Sequence, residues 1–231
     1  MEQNQSILDL NNIFKNRFSG YSELGQDQFA LELTNQLKNG FFVEIGLMGG
    51  REFSNTYLLE KEFGWQGIVV EPNIRYHTEI NYNRSCKIDH RAVTDCSGDR
   101  VIFKDVLVQP GLSGIPHYFQ PDNHYDTRKN DVGEEFMVDT VSMHDLLIQH
   151  NAPQHINYVS IDVEGAEMEI INNFNWAQWD IDIITIEHSY IEDARHDMGK
   201  ILASQGYDRV DFPELTLHDD WFFKPHLLKN I

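Results

Sequence analysis

The chain has 231 residues, 41% hydrophobic and 12% aromatic, with 18 Lys and Arg against 37 Asp and Glu, for a net charge of −19. This predicts one packed domain and excludes a disordered chain or a disulfide scaffold. The acidity argues against nucleic acid or an anionic membrane surface as partner, because both require clustered cations.

No apolar run approaches the roughly 18 residues of a membrane-spanning helix. The start, Met1-Glu-Gln-Asn-Gln, lacks the basic and apolar regions of a signal peptide. Cys86 and Cys96, the only cysteines, read as reduced thiols of a cytoplasmic protein. No repeat of about 20–50 residues marks a solenoid or propeller. Charge is unevenly placed: from Asn130 to Ala194 there are fourteen Asp and Glu and no Lys or Arg. Most of these carboxylates read as a solvated face. The rest are candidates for a cation or a hydroxylated ligand.

Residues 1–20 read as an N-terminal arm or helix, and residues 21–231 as a single domain. Phe29, Leu33 and Leu37 recur at helical spacing and predict a helix over 24–38. Phe41 to Gly46 reads as a buried strand. A helix over 54–63 follows, with Ser54 as N-cap. Gly67 to Glu71 is a second strand, stopped by Pro72, and a helix over 74–82 comes next. Residues 87–93 and 101–106 read as strands around the turn Asp95 to Asp99. Residues 109–135 carry Pro110, Gly111, Gly114, Pro116, Pro121 and Gly133 among scattered aromatics, which predicts a lid, a binding loop or a disordered insertion.

Periodicity then resumes. Ser142 caps a helix through Leu146-Leu-Ile. Tyr158 to Asp162 is a strand, 166–174 a helix, and Asp182 to Glu187 a strand. A helix over 194–205 ends on Gly206. Residues 207–212 and 221–224 form a closing strand pair around Pro213. Strands alternating with helices predict an α/β fold with a doubly wound, mostly parallel sheet. The closing pair, with no helix between its members, predicts an antiparallel C-terminal edge.

Ligands of such sheets bind beyond the carboxyl ends of the strands, near the switch point. Four apolar runs end in acids: Glu44 with Gly46, Glu71, Asp162 and Glu187. Gly46, Gly49 and Gly50, between a strand and a helix, allow a ligand close to the backbone. Glu71 ends the next strand, where a carboxylate can grip a ribose diol. Asp162, Glu164 and Glu167 crowd into six positions, and their repulsion needs a cation, a proton or helix N–H groups to relieve it. For Glu164 and Glu167 the plainer reading is an acidic helix N-terminus. His188 follows Glu187 and is a candidate general base near neutral pH.

Several stretches together resemble the FkbM-type methyltransferase family, S-adenosylmethionine-dependent enzymes with a Rossmann-like class I methyltransferase fold of seven strands. They are Leu24-Gly-Gln-Asp27, Phe42-Val-Glu-Ile-Gly46, Ser54 to Lys61, Gly64 to Pro72, Asn83-Arg84, Val138 to Ser142 and Tyr158 to Glu167. The resemblance implies that Glu44, Gly46 and Gly50 hold the methionyl part of the cofactor. It implies that Ser54 and Asn55 start the supporting helix, that Glu71 binds the ribose, that Arg91 and Ala92 border the adenine, and that Asp162 faces the transferred methyl. Gly49-Gly50 stands where the family often carries Asp-Gly.

Together these readings predict O-methyl transfer to a hydroxyl of a sugar, glycan or small polyhydroxylated metabolite. Asp162 or His188 is the candidate base, and Glu164 and Glu187 orient the acceptor hydroxyls. Tyr118, Phe119 and Tyr125 of the 109–135 segment are expected to cover the acceptor. Metal-independent transfer is expected. If the carboxylates converge with His188, the oxygen ligands favour Mg²⁺. Two other readings stay open. A nicotinamide dehydrogenase would use the same ribose-binding acid, although G-x-G-x-x-G is absent. A non-catalytic binding module could share the fold. The sequence carries no signal for oligomeric state.

Overall fold

The structure, a computed structural model, describes residues 20–210 and 216–230. The arm expected over the first twenty residues therefore lies almost wholly outside the described residues, as do 211–215 of the closing strand pair.

The main sheet is built from β1 (Phe41–Ile45), β2 (Gln66–Val70), β3 (Lys87–Asp89), β7 (His155–Ile161), β8 (Asp180–Glu187), β9 (Asp208–Arg209) and β10 (Asp219–Phe223). Its order is β3-β2-β1-β7-β8-β10-β9. β1 pairs in parallel with both β2 and β7. The chain winds outward from β1 to β3 and returns on the other side of β1 as β7, so the switch point lies between β1 and β7. β10 is antiparallel, as expected for the closing strand, but it lies one place in from the edge, between β8 and the two-residue β9.

Helices α1 (Gln26–Leu33), α2 (Tyr57–Phe63), α3 (His77–Asn83), α5 (Met143–Gln149), α6 (Glu167–Asn173) and α7 (Glu192–Ser204) surround this sheet. Strand alternation sorts the side chains. Val43 and Ile45 of β1 join the apolar cluster with Leu146, Ile170 and Leu202. Phe42 joins the cluster with Phe29, Leu59, Ile80 and Trp221. Each fully buried aliphatic or aromatic side chain in these layers contributes about 1.5–3 kcal/mol. No described helix is long and apolar enough to cross a membrane, and Cys86 and Cys96 are free.

Several local expectations change. α1 ends at Leu33, because Asn35 and Gln36 take left-handed backbone with φ of 51° and 56°, so Leu37 falls outside it. α2 starts at Tyr57 rather than at Ser54. Ser54 Oγ accepts from Tyr57 N at 3.1 Å, one turn ahead of the helix proper. The run 87–93 divides at His90 and Arg91 into β3 of the main sheet and β4 (Ala92–Thr94) of a second sheet. β4 does not pair with β5 (Arg100–Lys104) around the 95–99 turn. Both flank β6 (Glu135–Ser142), β4 in parallel and β5 antiparallel. Residues 109–135 are not a bare loop. They hold short 3₁₀ turns at Pro110–Leu112 and Pro116–Tyr118 and the helix α4 (Tyr125–Asn130). Ser142 does cap α5, accepting from Asp145 N at 3.1 Å.

Candidate functional site

A cavity of about 590 Å³ opens beyond the carboxyl ends of β1, β2, β7 and β8, at the switch point. One half is built on the turn after β1. Gly46 has φ +82°, and a Cβ there would stand 1.7 Å from the Asp162 carbonyl oxygen. Leu47 to Gly50 then folds into a tight turn, closed by Gly50 N donating to Leu47 O at 2.9 Å. Glu71, 6% exposed, receives the open amides of that turn. Its Oε2 accepts from Met48 N at 2.9 Å and Leu47 N at 3.3 Å, and its Oε1 accepts from Asn73 N at 2.8 Å. A carboxylate has about four acceptor positions, so one stays unused. Burial pushes the Glu71 pKa up to about 7, against the pull of those amides.

Glu44 has a different role from Glu71. Alternation along β1 turns it under α2, away from the cavity walls. There it accepts from Ser54 Oγ at 2.8 Å, Asn55 N at 2.6 Å and Thr56 Oγ1 at 2.5 Å, and pairs with Arg84 at 3.2 Å. This ties down 54–56 and presents Asn55 to the cavity. Asn55 Nδ2 donates to Ser160 Oγ at 2.8 Å, and its buried Oδ1 has no partner. A buried acceptor left open on a cavity wall suits a ligand N–H donor.

Carboxylates crowd the other half. Asp162, Glu164, Glu187 and Asp219 all line it. Asp162 stays open to solvent, yet the surrounding protein, then Asp219 and Glu167, push its pKa up to about 7. Burial and the neighbouring Asp162 raise Glu164 well above the usual range, with Arg128 opposing. Burial, Glu164 and Asp162 raise Glu187 likewise. Burial also lifts Asp219 to about 7, while a hydrogen bond from Gln26 Nε2 at 2.8 Å opposes it. One oxygen each from Asp162, Glu164 and Glu187 lie within 4.8 Å of one another. That is an oxygen-only donor set of the kind hard divalent cations take. Among the described residues, no Lys or Arg lines the cavity.

Of the residues singled out from the sequence, Gly46, Asn55, Glu71, Ala92, Asp162, Glu164 and Glu187 line this one cavity. Glu44, Gly50, Ser54 and Arg91 do not: the first three support the β1 turn from behind, and Arg91 is ion-paired with Asp89 at 2.6 Å. His188 is also outside. The β8–β10 register sets Glu187 opposite Asp219, so the next residue along, His188, turns to the other face. Its Nδ1 accepts from Tyr190 N at 3.1 Å, and burial lowers its pKa. The carboxylates thus converge without the histidine. Glu167 follows the plainer reading, its carboxylate turned back on Val163 N and Gly165 N at 2.9 Å each. At position 49, the Glu79 carboxylate lies 2.5 Å from where a Cβ would stand, so it fills the place of a side chain there. Within 109–135, residues 109–113, Ile115 and His124 reach the cavity, whereas Tyr118, Phe119 and Tyr125 do not.

Sequence reasoning missed Asp219, Gln26 and Arg128. Asp219 was findable only through the β8–β10 register. Nothing local distinguishes Arg128 from a surface arginine.

Residues 42–209 match the model of a family described as the methyltransferase FkbM domain. No curated protein matches the chain. The solved structures that resemble it include three methyltransferases. One is a precorrin-6y C5,15-methyltransferase from Geobacter metallireducens GS-15, with 10% identity over 90% of this chain and 92% of that chain and a TM-score of 0.41. Another is a methyltransferase from Pyrococcus furiosus, with 12% identity over 96% and 98% and a TM-score of 0.41. The third is phosphoethanolamine N-methyltransferase 2 from Haemonchus contortus in complex with S-adenosyl-L-methionine, with 12% identity over 91% and 45% and a TM-score of 0.40. Likeness at this level carries nothing about the substrate of this chain.

Proposed function

The chain belongs to the methyltransferase FkbM domain family, and from that premise we propose that it moves the methyl group of S-adenosylmethionine to a hydroxyl of a sugar, glycan or small polyhydroxylated metabolite. The observation that carries this reading is the single cavity at the β1–β7 switch point, walled by Gly46, Asn55 and Glu71 at one end and by Asp162, Glu164, Glu187 and Asp219 at the other.

The residues of the first end fit the cofactor. Gly46 and Leu47 of the β1 turn line the cavity where its amino-acid portion would lie, and the open Asn55 Oδ1 suits the ammonium group of that portion. Glu71 keeps acceptor capacity for a ribose hydroxyl. Ala92 and Val93 of β4 give an apolar wall for a base. When bound, the cofactor supplies an electrophilic methyl.

Asp162 then takes the acceptor proton. It is open to the cavity, and a pKa of about 7 matches a base working near neutrality. Glu187, Glu164 and Asp219 accept hydrogen bonds from the acceptor's other hydroxyls and set its orientation. Among the described residues the cavity wall holds several carboxylates and no Lys or Arg, which disfavours phosphorylated or otherwise anionic acceptors. His188 serves by holding the 188–190 turn, not as the base.

Calorimetry with S-adenosylhomocysteine and with NAD tests the cofactor, and product mass analysis with labelled cofactor over a glycan and polyol panel tests the transfer. Binding of S-adenosylhomocysteine and a labelled methyl ether are expected. NAD binding without S-adenosylhomocysteine binding would overturn the reading.

A further inference from the structure

Segment 109–135 meets the site at both ends. Residues 109–113 and Ile115 line the cavity, with Gly111 beside Met48 of the β1 turn. At Gly114 and again at Tyr118 the segment lies directly on the 162–165 turn at the other end. A Cβ at Gly165 would come 2.3 Å from the Tyr118 carbonyl oxygen, and one at Gly114 would come 3.2 Å from the Glu164 Cβ. Glu164 itself sits in left-handed backbone with φ +61°, a conformation that needs support from its neighbours.

That support centres on Arg128 of α4, which is 1% exposed. Its Nη1 donates to Glu164 Oε2 at 2.6 Å. Its Nη2 donates to Gln120 O at 3.3 Å and to the Asp122 carboxylate. Its guanidinium lies 5.0 Å over the Phe119 ring. One arginine thus gathers three points of the segment and joins them to a carboxylate on the cavity wall. A cation buried this deeply is costly to desolvate and is kept only where its partners are well placed. A surface loop with no part in the site would have no need of it.

We propose that Arg128 is a positioning residue that fastens the 109–135 segment to Glu164, so that the wall over the cofactor end and the carboxylate at the acceptor end are held as one unit. The names of the two ends rest on the methyltransferase reading; the fastening itself does not.

The test compares the parent protein with Arg128→Met, Arg128→Lys, Glu164→Gln and the Arg128→Met/Glu164→Gln double variant. Hydrogen exchange across 109–131 and S-adenosylhomocysteine affinity by calorimetry are both measured. Arg128→Met and Glu164→Gln are each expected to speed exchange across 109–131, with β1 and β7 unchanged. Each should weaken S-adenosylhomocysteine by about tenfold, although neither residue is assigned to the cofactor. Arg128→Lys should recover part of both losses, and the double variant should be no worse than Arg128→Met alone. Should Arg128→Met fail to fold, Glu164→Gln breaks the same pair from the other side. Parental exchange in Glu164→Gln overturns the proposal, as do additive losses in the double variant or faster exchange spread evenly over the sheet. Absence of S-adenosylhomocysteine binding by the parent protein sinks the methyltransferase reading instead, and exchange then decides the fastening alone.

Discussion

Gly46 and Asp162 meet backbone to side-chain position: a Cβ on Gly46 would lie 1.7 Å from the Asp162 carbonyl oxygen. The two residues end adjacent parallel strands, and Asp162 N donates to Ile45 O at 2.9 Å, so neither can withdraw without breaking the β1–β7 ladder. Gly46→Ala is therefore expected to lose S-adenosylhomocysteine binding and to lower the unfolding midpoint, because the new methyl clashes and φ +82° disfavours any side chain. Calorimetry and thermal unfolding check this. Parental affinity in the variant would show that the turn tolerates displacement.

Glu71 and Asp219 are both buried, with pKa values raised to about 7 from the usual 4.5 and 3.8. In that interval the folded state holds protons that the unfolded chain has released. Their contribution to stability is therefore greatest below the unfolded values, falls as pH rises through the interval, and levels off above about 7. Glu71→Gln and Asp219→Asn are each expected to flatten the decline in unfolding midpoint over that range. A pH series of thermal melts reads it, and identical slopes in parent and variants would contradict the raised values.

Asp162→Asn removes the proposed proton acceptor while keeping shape. Turnover is expected to fall by about 10²–10⁴-fold, with S-adenosylhomocysteine affinity within a few-fold of the parent. Labelled-product analysis measures the first and calorimetry the second. A fully active variant would move the base to another of the four carboxylates.

Arg84 and Glu44 form an ion pair with side chains 0% and 1% exposed. Arg84 also donates to Ser54 Oγ at 3.0 Å and Thr56 Oγ1 at 2.8 Å. Arg84→Met strands the Glu44 charge, and a loss of about 3–5 kcal/mol is expected from denaturant unfolding. Cofactor affinity should fall with it, since Asn55 is held through Glu44. A loss too small to resolve would mean the hydroxyl and amide donors around Glu44 suffice.

Methyl transfer is expected to survive chelation. Arg128 pairs with Glu164 at 2.6 Å, so the cluster carries a cation of its own. Activity measured in chelator and after added Mg²⁺ decides. Loss in chelator with recovery by Mg²⁺ would instead assign a cation to the three clustered oxygens.

Much of the scaffold was legible. Buried runs such as Ile68-Val-Val70 read as strands because both of their faces are covered. Turn glycines and strand-ending acids stood at the ends of those runs in plain order. The run 87–93 was misread as one strand because its apolar pattern is the same whether its halves serve one sheet or two. His188 was overvalued because adjacency in sequence says nothing of face, and alternation along β8 sends it opposite to Glu187.

The sequence by itself determined the strands of the main sheet and the helices that cover it, the turn at Gly46 and the placing of Glu71, Asp162 and Glu187 at strand ends, since all of these follow from periodicity and turn chemistry within short windows. Only the tertiary structure decided that Glu44 braces the turn from behind, that Asp219 and Gln26 complete the acidic wall, and that Arg128 reaches Glu164. Those outcomes depend on strand register and on contacts between segments up to 193 residues apart, which no local pattern encodes.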